Sequence, residues 1–306
     1  MKASRGSLKA LDWANLFMAD VKDGVGVYLS VFLLTVRNWE PDQIGYVIAI
    51  PGLVGILIQP PAGALIDRTT YKRFLLIGAS IIIVTLISQA IVGFVQSVYA
   101  PCVAAITLGM VGHALLSQRI GRNESFNHMG NMGAAIIAGL LGRFISYEAI
   151  FYFSVFQCAA LVIAVLLIKE KDIDHELARA AAENNARKAV GVLDLFRNHH
   201  ILFFTISMGL FHLANAAMLP LAGQKMGLAD GKNSSLYLSA AIVIAQGVMA
   251  LVAALSGRRA EKGRKKIMLI AFMLLPIRAG LFAFLDDPYI LTAIQILDGI
   301  GAGIFV

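Results

Sequence analysis

The chain has 306 residues, 58% of them hydrophobic and 15% charged, with a formal net charge of +7. Its mean hydropathy of +0.75 is too high for a soluble globule, so an all-α polytopic membrane protein is expected. The basic residues are sorted by loop rather than gathered with aromatics on one surface, which excludes a nucleic-acid partner, and Cys102 and Cys158 sit in apolar segments without metal-like spacing, which argues against a disulfide framework or a zinc site.

Apolar windows of spanning length run at 10–36, 43–66, 74–95, 98–117, 128–146, 149–168, 200–222, 234–256, 267–285 and 289–306. The first is preceded by Lys2, Arg5 and Lys9 and is interrupted by acids, a poor signal-peptide core, so it is expected to be a retained first helix. Within it, Asn15, Asp20, Lys22 and Asp23 sit where a helix meets hydrocarbon. Only thirteen uncharged residues, Gly24 to Val36, follow before Arg37; they span about 20 Å against a hydrocarbon core of about 30 Å. The charged stretch must therefore enter the membrane.

At about 100° per residue, Asp12, Asn15, Asp20, Lys22, Asp23, Gly26 and Ser30 share one face of that helix, opposite Trp13, Phe17, Val21, Val25, Tyr28 and Phe32. A charge at mid-bilayer costs about 2.5 kcal/mol or more, so such residues line a water-filled cavity or pair with another helix. Asp20 and Asp23 either hold helices together or bind substrate or protons, and the second role is favoured. Lys22 has no opposite charge three or four residues away. Its partner must lie on another helix.

The second window ends in Gly63-Ala-Leu-Ile-Asp67-Arg68-Thr-Thr-Tyr-Lys72-Arg73, and the eighth in Gly257-Arg-Arg-Ala-Glu261-Lys262-Gly-Arg264-Lys265-Lys266. Each has a glycine, an acid four residues on, and a basic cluster. After the sixth window, Lys169 to His199 is the longest polar stretch, with a helix-compatible centre from Ile173 to Ala181. It is expected to be a cytoplasmic linker with a surface helix. Domain bounds of 1–168 for an N-terminal six-helix bundle, 169–199 for the linker and 200–306 for helices seven to ten follow, as two repeats of a six-plus-six count. The second repeat stops at Val306 in its tenth helix, so two further helices are expected beyond it.

With the N-terminus inside, the cytoplasmic segments hold most of the 26 basic residues and the other side only Arg37, Arg143, Lys225 and Lys232. That asymmetry sets the orientation. Lys22 and Arg278 are intramembrane. His113, His212, Asn215 and Asp298 also fall near mid-helix, and His212 and Asn215 share a face at i, i+3. Each histidine is as compatible with a structural hydrogen bond as with a ligand role. Arg278 and Asp298, on sequential antiparallel helices and both near mid-depth, are expected to form an intramembrane pair.

Gly299-Ile-Gly301-Ala-Gly303 lies in an apolar helix without a preceding strand, which favours close helix packing over a phosphate loop. No G-x-x-x-x-G-K-[ST], H-E-x-x-H or G-x-S-x-G sequence occurs, which argues against ATP-driven transport by this chain and against these enzyme classes. No cofactor and no metal are implied.

Gly63, Leu65, Asp67, Arg68, Lys72 and Arg73, placed between the second and third of six helices, resemble the loop motif of the major facilitator superfamily. Thr70 stands where glycine is usual there, and Tyr71 where a basic residue is usual. The resemblance extends over the whole chain through the degenerate copy after helix eight. It implies two six-helix bundles, the second truncated here, that rock around a midplane site by alternating access. Asp67 would belong to a latch closing the cytoplasmic gate with Gly63, Arg68, Lys72 and Arg73, although topology anchoring explains the basic residues equally well.

The resemblance places helices one, four, seven and ten around a central cavity, and so brings Asn15, Asp20, Lys22, Asp23, His113, His212, Asn215 and Asp298 to a substrate and proton site. The implied function is secondary transport of a small organic solute across a bacterial-type inner membrane. Protons are expected as the coupled ion, with export somewhat favoured over uptake symport. The glycine stretch Gly130-Asn-Met-Gly133 to Gly139-Leu-Leu-Gly142 in helix five lacks the Gly-Pro of the family's drug/proton antiporters, which weakens the export expectation. A non-transporting sensor or membrane-embedded enzyme of the same fold is the alternative from another class. The expected partners are the solute, protons and the lipid bilayer, with no obligate protein partner evident.

Overall fold

The computed structural model describes residues 3–68, 76, 89–178, 199–259 and 264–305, without the side chains of 20–26, 53, 56–57, 59–68, 89–95, 200–201, 253–259, 264–267 and 305. The first helix, α1 (Arg5–Thr35), starts at a serine cap: the Ser7 N–H donates to Ser4 Oγ at 3.2 Å. The Asp172 carboxylate sits at the same helix end, accepting from Ser4 N at 3.1 Å and Ser7 Oγ at 2.6 Å. An anion there is favoured by the free N–H groups of the first turn and by the helix dipole. The Ser4 and Ser7 donors hold the Asp172 carboxyl below the usual carboxylate range.

Next comes α2 (Pro41–Arg68), which opens with proline at a position where its missing N–H is no loss. The following helix, α3 (Gln89–Phe144), is broken once, at Gly112 with φ 71° and ψ 173°. Its arms are 89–111 and 113–144. The polar stretch between the fourth and fifth sequence windows is thus not a loop but the start of the second arm. One side of it is buried, with Asn123 donating to Thr107 Oγ1 at 3.0 Å, while Gln118, Gly121 and Arg122 face outward. A positive φ is readily reached by glycine. One turn earlier a Cβ on Gly109 would lie 2.8 Å from the Asp174 carbonyl oxygen, and the Asp174 N–H donates to Gly109 O at 3.0 Å. Bare backbone at this bend lets the segment after the sixth window dock.

That window folds as α4 (Tyr147–Leu166), followed by a short 3-10 turn at Glu170–Asp172. The seventh window divides into α5 (His199–Ala216) and α6 (Met218–Ala229). Pro220 has no N–H to offer the Ala216 carbonyl, so the helical ladder stops there. Then follow α7 (Ser234–Arg259), α8 (Arg264–Phe284), α9 (Pro288–Ala293) and α10 (Gln295–Phe305). The Asp287 side chain caps α9 by accepting from Tyr289 N at 2.9 Å and Ile290 N at 3.1 Å. Lys225 of α6 donates to the carbonyls of Phe282 and Leu285, each at 2.7 Å, satisfying the end of α8.

Two compact units result, one of residues 1–25, 39–131 and 148–187, the other of 26–38, 132–147 and 188–306. The first has a core of Leu11, Met18, Tyr99, Ile106, Met110, Leu161 and Ile168. The second centres on Met226, Ala241, Leu291 and Ile294. Among the described residues, 96–144, 147–166, 202–229 and 234–252 are long and apolar enough to cross a bilayer. Tyr152, Phe156, Ile163 and Leu167 of α4 and its end, like Phe203, Leu210 and Leu213 of α5, are exposed. Apolar surface on this scale belongs in hydrocarbon, where helices satisfy their own backbone.

Candidate functional site

In the second unit, α5, α8 and α10 converge on Arg278, the largest fully buried side chain of the chain's described residues. Its Nη1 donates to Asp298 Oδ1 at 2.6 Å and to Asn215 Oδ1 at 2.7 Å, and its Nη2 to Gln295 Oε1 at 2.8 Å. Phe282 lies one turn along the same helix with its ring centroid 5.3 Å from the guanidinium. Arg278 is 2% exposed and Asp298 17%. Both border a small cleft, with room for about one water, walled by Phe211, Leu274, Leu275 and Leu297, with Gly301 and Ala302 on α10. Charge in such a wall is retained only with a partner, and here one cation faces one anion.

A second ionic cluster lies in the first unit. Asp12, 3% exposed, accepts from Arg119 Nη2 at 2.6 Å and from Arg122 Nε and Nη2, and Arg119 also donates to the Leu8 carbonyl at 2.8 Å. A third set of contacts joins helix ends within the second unit. Tyr28 Oη and Ser239 Oγ are 2.7 Å apart, Ser235 Oγ donates to Gly139 O at 3.1 Å, and Arg143 Nε donates to Asn233 Oδ1 at 2.7 Å.

The residues expected at the site are distributed as follows. Asn215, Arg278 and Asp298 meet directly. His212 is exposed beside Phe211, its ring 5.7 Å away edge-on. Asn15 is buried in the first unit, donating to the Leu11 carbonyl at 2.8 Å. His113 is exposed directly after the Gly112 break. Asp20, Lys22 and Asp23 lie on α1, and Gly63, Asp67 and Arg68 on the last turns of α2, but their side chains are outside the described residues. Lys72 and Arg73 lie outside them altogether.

Sequence reasoning missed Gln295, although its i, i+3 spacing from Asp298 puts both on one helix face. It also missed the pairing of Asp12 with Arg119 and Arg122, whose only local signal is their own i, i+3 spacing at the edge of an apolar window. Among the described residues no group of three or more His, Cys, Asp or Glu is placed to hold a metal.

The family model of the Major Facilitator Superfamily matches residues 13–306. Two uncharacterized MFS-type transporters of Mycobacterium tuberculosis, from strains CDC 1551 / Oshkosh and H37Rv, are each 40% identical over 316 residues, covering 97% of this chain and 75% of theirs. A crystal structure of a variant of the nucleoside transporter NupG superposes with a TM-score of 0.73 at 16% identity, covering 98% of this chain and 80% of that one. At that identity the likeness is one of fold.

Proposed function

The chain belongs to the Major Facilitator Superfamily and is a multi-pass membrane transporter rather than an enzyme, and from that premise we propose that it moves a small organic solute by alternating access with protons as the coupled ion. The observation that carries this is the ion pair of Arg278 and Asp298 beside a cleft, the carboxylate partly exposed and the guanidinium buried. An ionisable residue inside a membrane bundle is expensive, and a carboxylate that faces a cavity can take up and release a proton there.

In this proposal residues 1–168 and 200–306 form the two rocking bundles, joined by a cytoplasmic linker over 169–199. Asn15, Asp20, Lys22, Asp23, His113, His212, Asn215 and Asp298 line the path, and Asp67 with its basic neighbours Arg68, Lys72 and Arg73 closes the cytoplasmic side. The chain would lie in a bacterial inner membrane, and the distribution of Lys and Arg supports an N-terminus on the inside. Both directions are compatible with proton coupling, export by antiport and uptake by symport. The Arg278–Asp298 pair favours symport, because protonating Asp298 frees the cation to hold a solute instead of expelling one.

Transport is tested with the purified chain in proteoliposomes that trap a pH-sensitive dye, challenged with small organic solutes grouped by chemical class. One class is expected to change the internal pH in wild-type vesicles and not in those with Asp298→Asn. Solute flux indifferent to an imposed pH gradient would remove the proton from the mechanism, and no flux of any class under either gradient would remove transport itself.

A further inference from the structure

The Asp12 cluster carries more positive charge than its anion answers. Two guanidiniums, Arg119 and Arg122, share that one carboxylate, so a net positive charge remains where α1 and α3 enter the apolar layer. Arg119 is buried, whereas the Arg122 side chain is 57% exposed and its Nη1 has no acceptor among the described residues. The other acids nearby are engaged, Asp172 by Ser4 and Ser7 and Glu124 by Asn127.

Helix register fixes what surrounds the exposed guanidinium. The row Leu8, Asp12 and Leu16 of α1 lies against α3: Arg119 donates to the Leu8 carbonyl, and Gly130 has no side chain where the Leu16 carbonyl approaches. On one side of that row stand Leu11, Asn15 and Met18, all buried. On the other stand Arg5, Lys9 and Trp13, at i, i+4 and i+8, all exposed. A solvated guanidinium that reaches Asp12 must pass over this second side, which brings Arg122 to Lys9 and Trp13. Neither Arg5 nor Lys9 has an ion pair among the described residues.

Polarity along this face is ordered. Arg5 and Lys9 precede the first apolar window, and Trp13 lies just inside it, stacked on Phe17 at 6.0 Å. On α3, Arg122 precedes the fifth window and lies 5.5 Å from the ring centroid of Phe126, while Met129, 58% exposed, stands just inside that window. Cation, then indole, then apolar side chain is the order of layers at the headgroup boundary of a bilayer, where Trp and snorkelling Arg concentrate. A zwitterionic headgroup would bring its own cation among these. An anionic one brings the missing charge, on a phosphate that matches the guanidinium fork.

We propose that this edge of α1 and α3 binds one anionic phospholipid, its phosphate on Lys9 and Arg122 and its acyl chains along Trp13, Phe17 and Met129. Bound there, the lipid ties the two helices together across the same seam that Asp12 closes from within. The surface belongs to the first unit, and its occupant is independent of the solute and of the coupling ion.

The test uses the full chain in detergent with Trp39→Phe, which leaves Trp13 as the single tryptophan, titrated with phosphatidylglycerol brominated on its acyl chains. Quenching of Trp13 is expected to saturate at one lipid per chain, and brominated phosphatidylcholine should quench it far more weakly. Lys9→Gln, which removes no polar contact among the described residues, should weaken the phosphatidylglycerol titration about fivefold, and Lys9→Gln with Arg122→Gln about twenty-five-fold, as two interfacial cations acting independently would. Lys232→Gln removes the same charge from the other unit and should change nothing.

Equal quenching by the two lipids, an equal loss in Lys232→Gln and Lys9→Gln, or no loss in the double variant would each overturn the proposal. So would displacement of the brominated lipid by inorganic phosphate, which would make the cluster a site for a free anion.

Discussion

Arg119 on the second arm of α3 donates to Asp12 on α1 at 2.6 Å across 107 residues of sequence, and both side chains are almost fully buried. Arg122 joins the same carboxylate from the outside, its own side chain 57% exposed. One acid thus anchors two helices through one buried and one solvated arginine, and the two contacts are energetically unlike.

Removing Asp12 should therefore hurt far more than removing Arg122. Asp12→Asn strands Arg119 and is expected to cost about 3–5 kcal/mol, whereas Arg122→Ala, a largely exposed partner, should cost about 1 kcal/mol or less. Thermal unfolding of the purified variants in detergent measures both. Equal losses would mean that burial does not set the strength of this cluster.

The pair of Arg278 and Asp298 should behave as a unit. Asp298→Asn alone leaves a buried cation and is expected to destabilise by about 3–5 kcal/mol, with much of that loss recovered when Arg278→Gln is added. A double-mutant cycle giving purely additive losses would contradict the coupling.

Close approach between α3 and α7 depends on a missing side chain. A Cβ on Gly139 would lie 2.7 Å from the Cβ of Ser239. Gly139→Ala is expected to lose about 1–3 kcal/mol through overpacking, and Ser239→Gly in the same chain should restore part of it by vacating that space. Stability unchanged by Gly139→Ala would show that the helix ends yield freely.

Asp172 predicts a pH signature. Its folded carboxyl lies below the usual range because Ser4 and Ser7 donate to it, so its stabilising effect is present above the unfolded value and is lost as pH falls through the folded one. The melting-temperature gap between wild type and Asp172→Ala should be full at neutral pH and close under acid conditions below the usual carboxylate range. A gap independent of pH would assign Asp172 a role that does not depend on its charge.

Asp20 and Asp23 are about 60° apart on one face of α1. If either carries the coupled proton, its replacement by Asn should abolish pH-driven accumulation yet spare solute exchange at equal pH, since exchange needs no net proton movement. Full pH-driven transport in both variants would exclude Asp20 and Asp23 as coupling groups and leave that role to Asp298 alone, as proposed above.

The class of this protein was legible in its sequence because the bilayer acts on local properties. A hydrocarbon core accepts only long apolar helices and sorts Lys and Arg to one side, so composition and order alone lead to a polytopic helical chain and, through the Gly63 to Arg73 motif, to its family. The mid-helix positions of Asn215, Arg278 and Asp298 were visible for the same reason. What tertiary structure decided is which helices are neighbours. Asp12 meeting Arg119, Gln295 completing the Arg278 cluster, Asp172 capping α1 and Gly139 admitting Ser239 each join residues that no local pattern relates. The stretch after Gly112 illustrates the limit: its polarity suggests a loop, yet it continues as helix because Asp12 and Thr107 on other helical segments receive Arg119 and Asn123. A buried polar group is tolerated only where the fold brings it a partner, and that partner is a property of packing rather than of the local sequence.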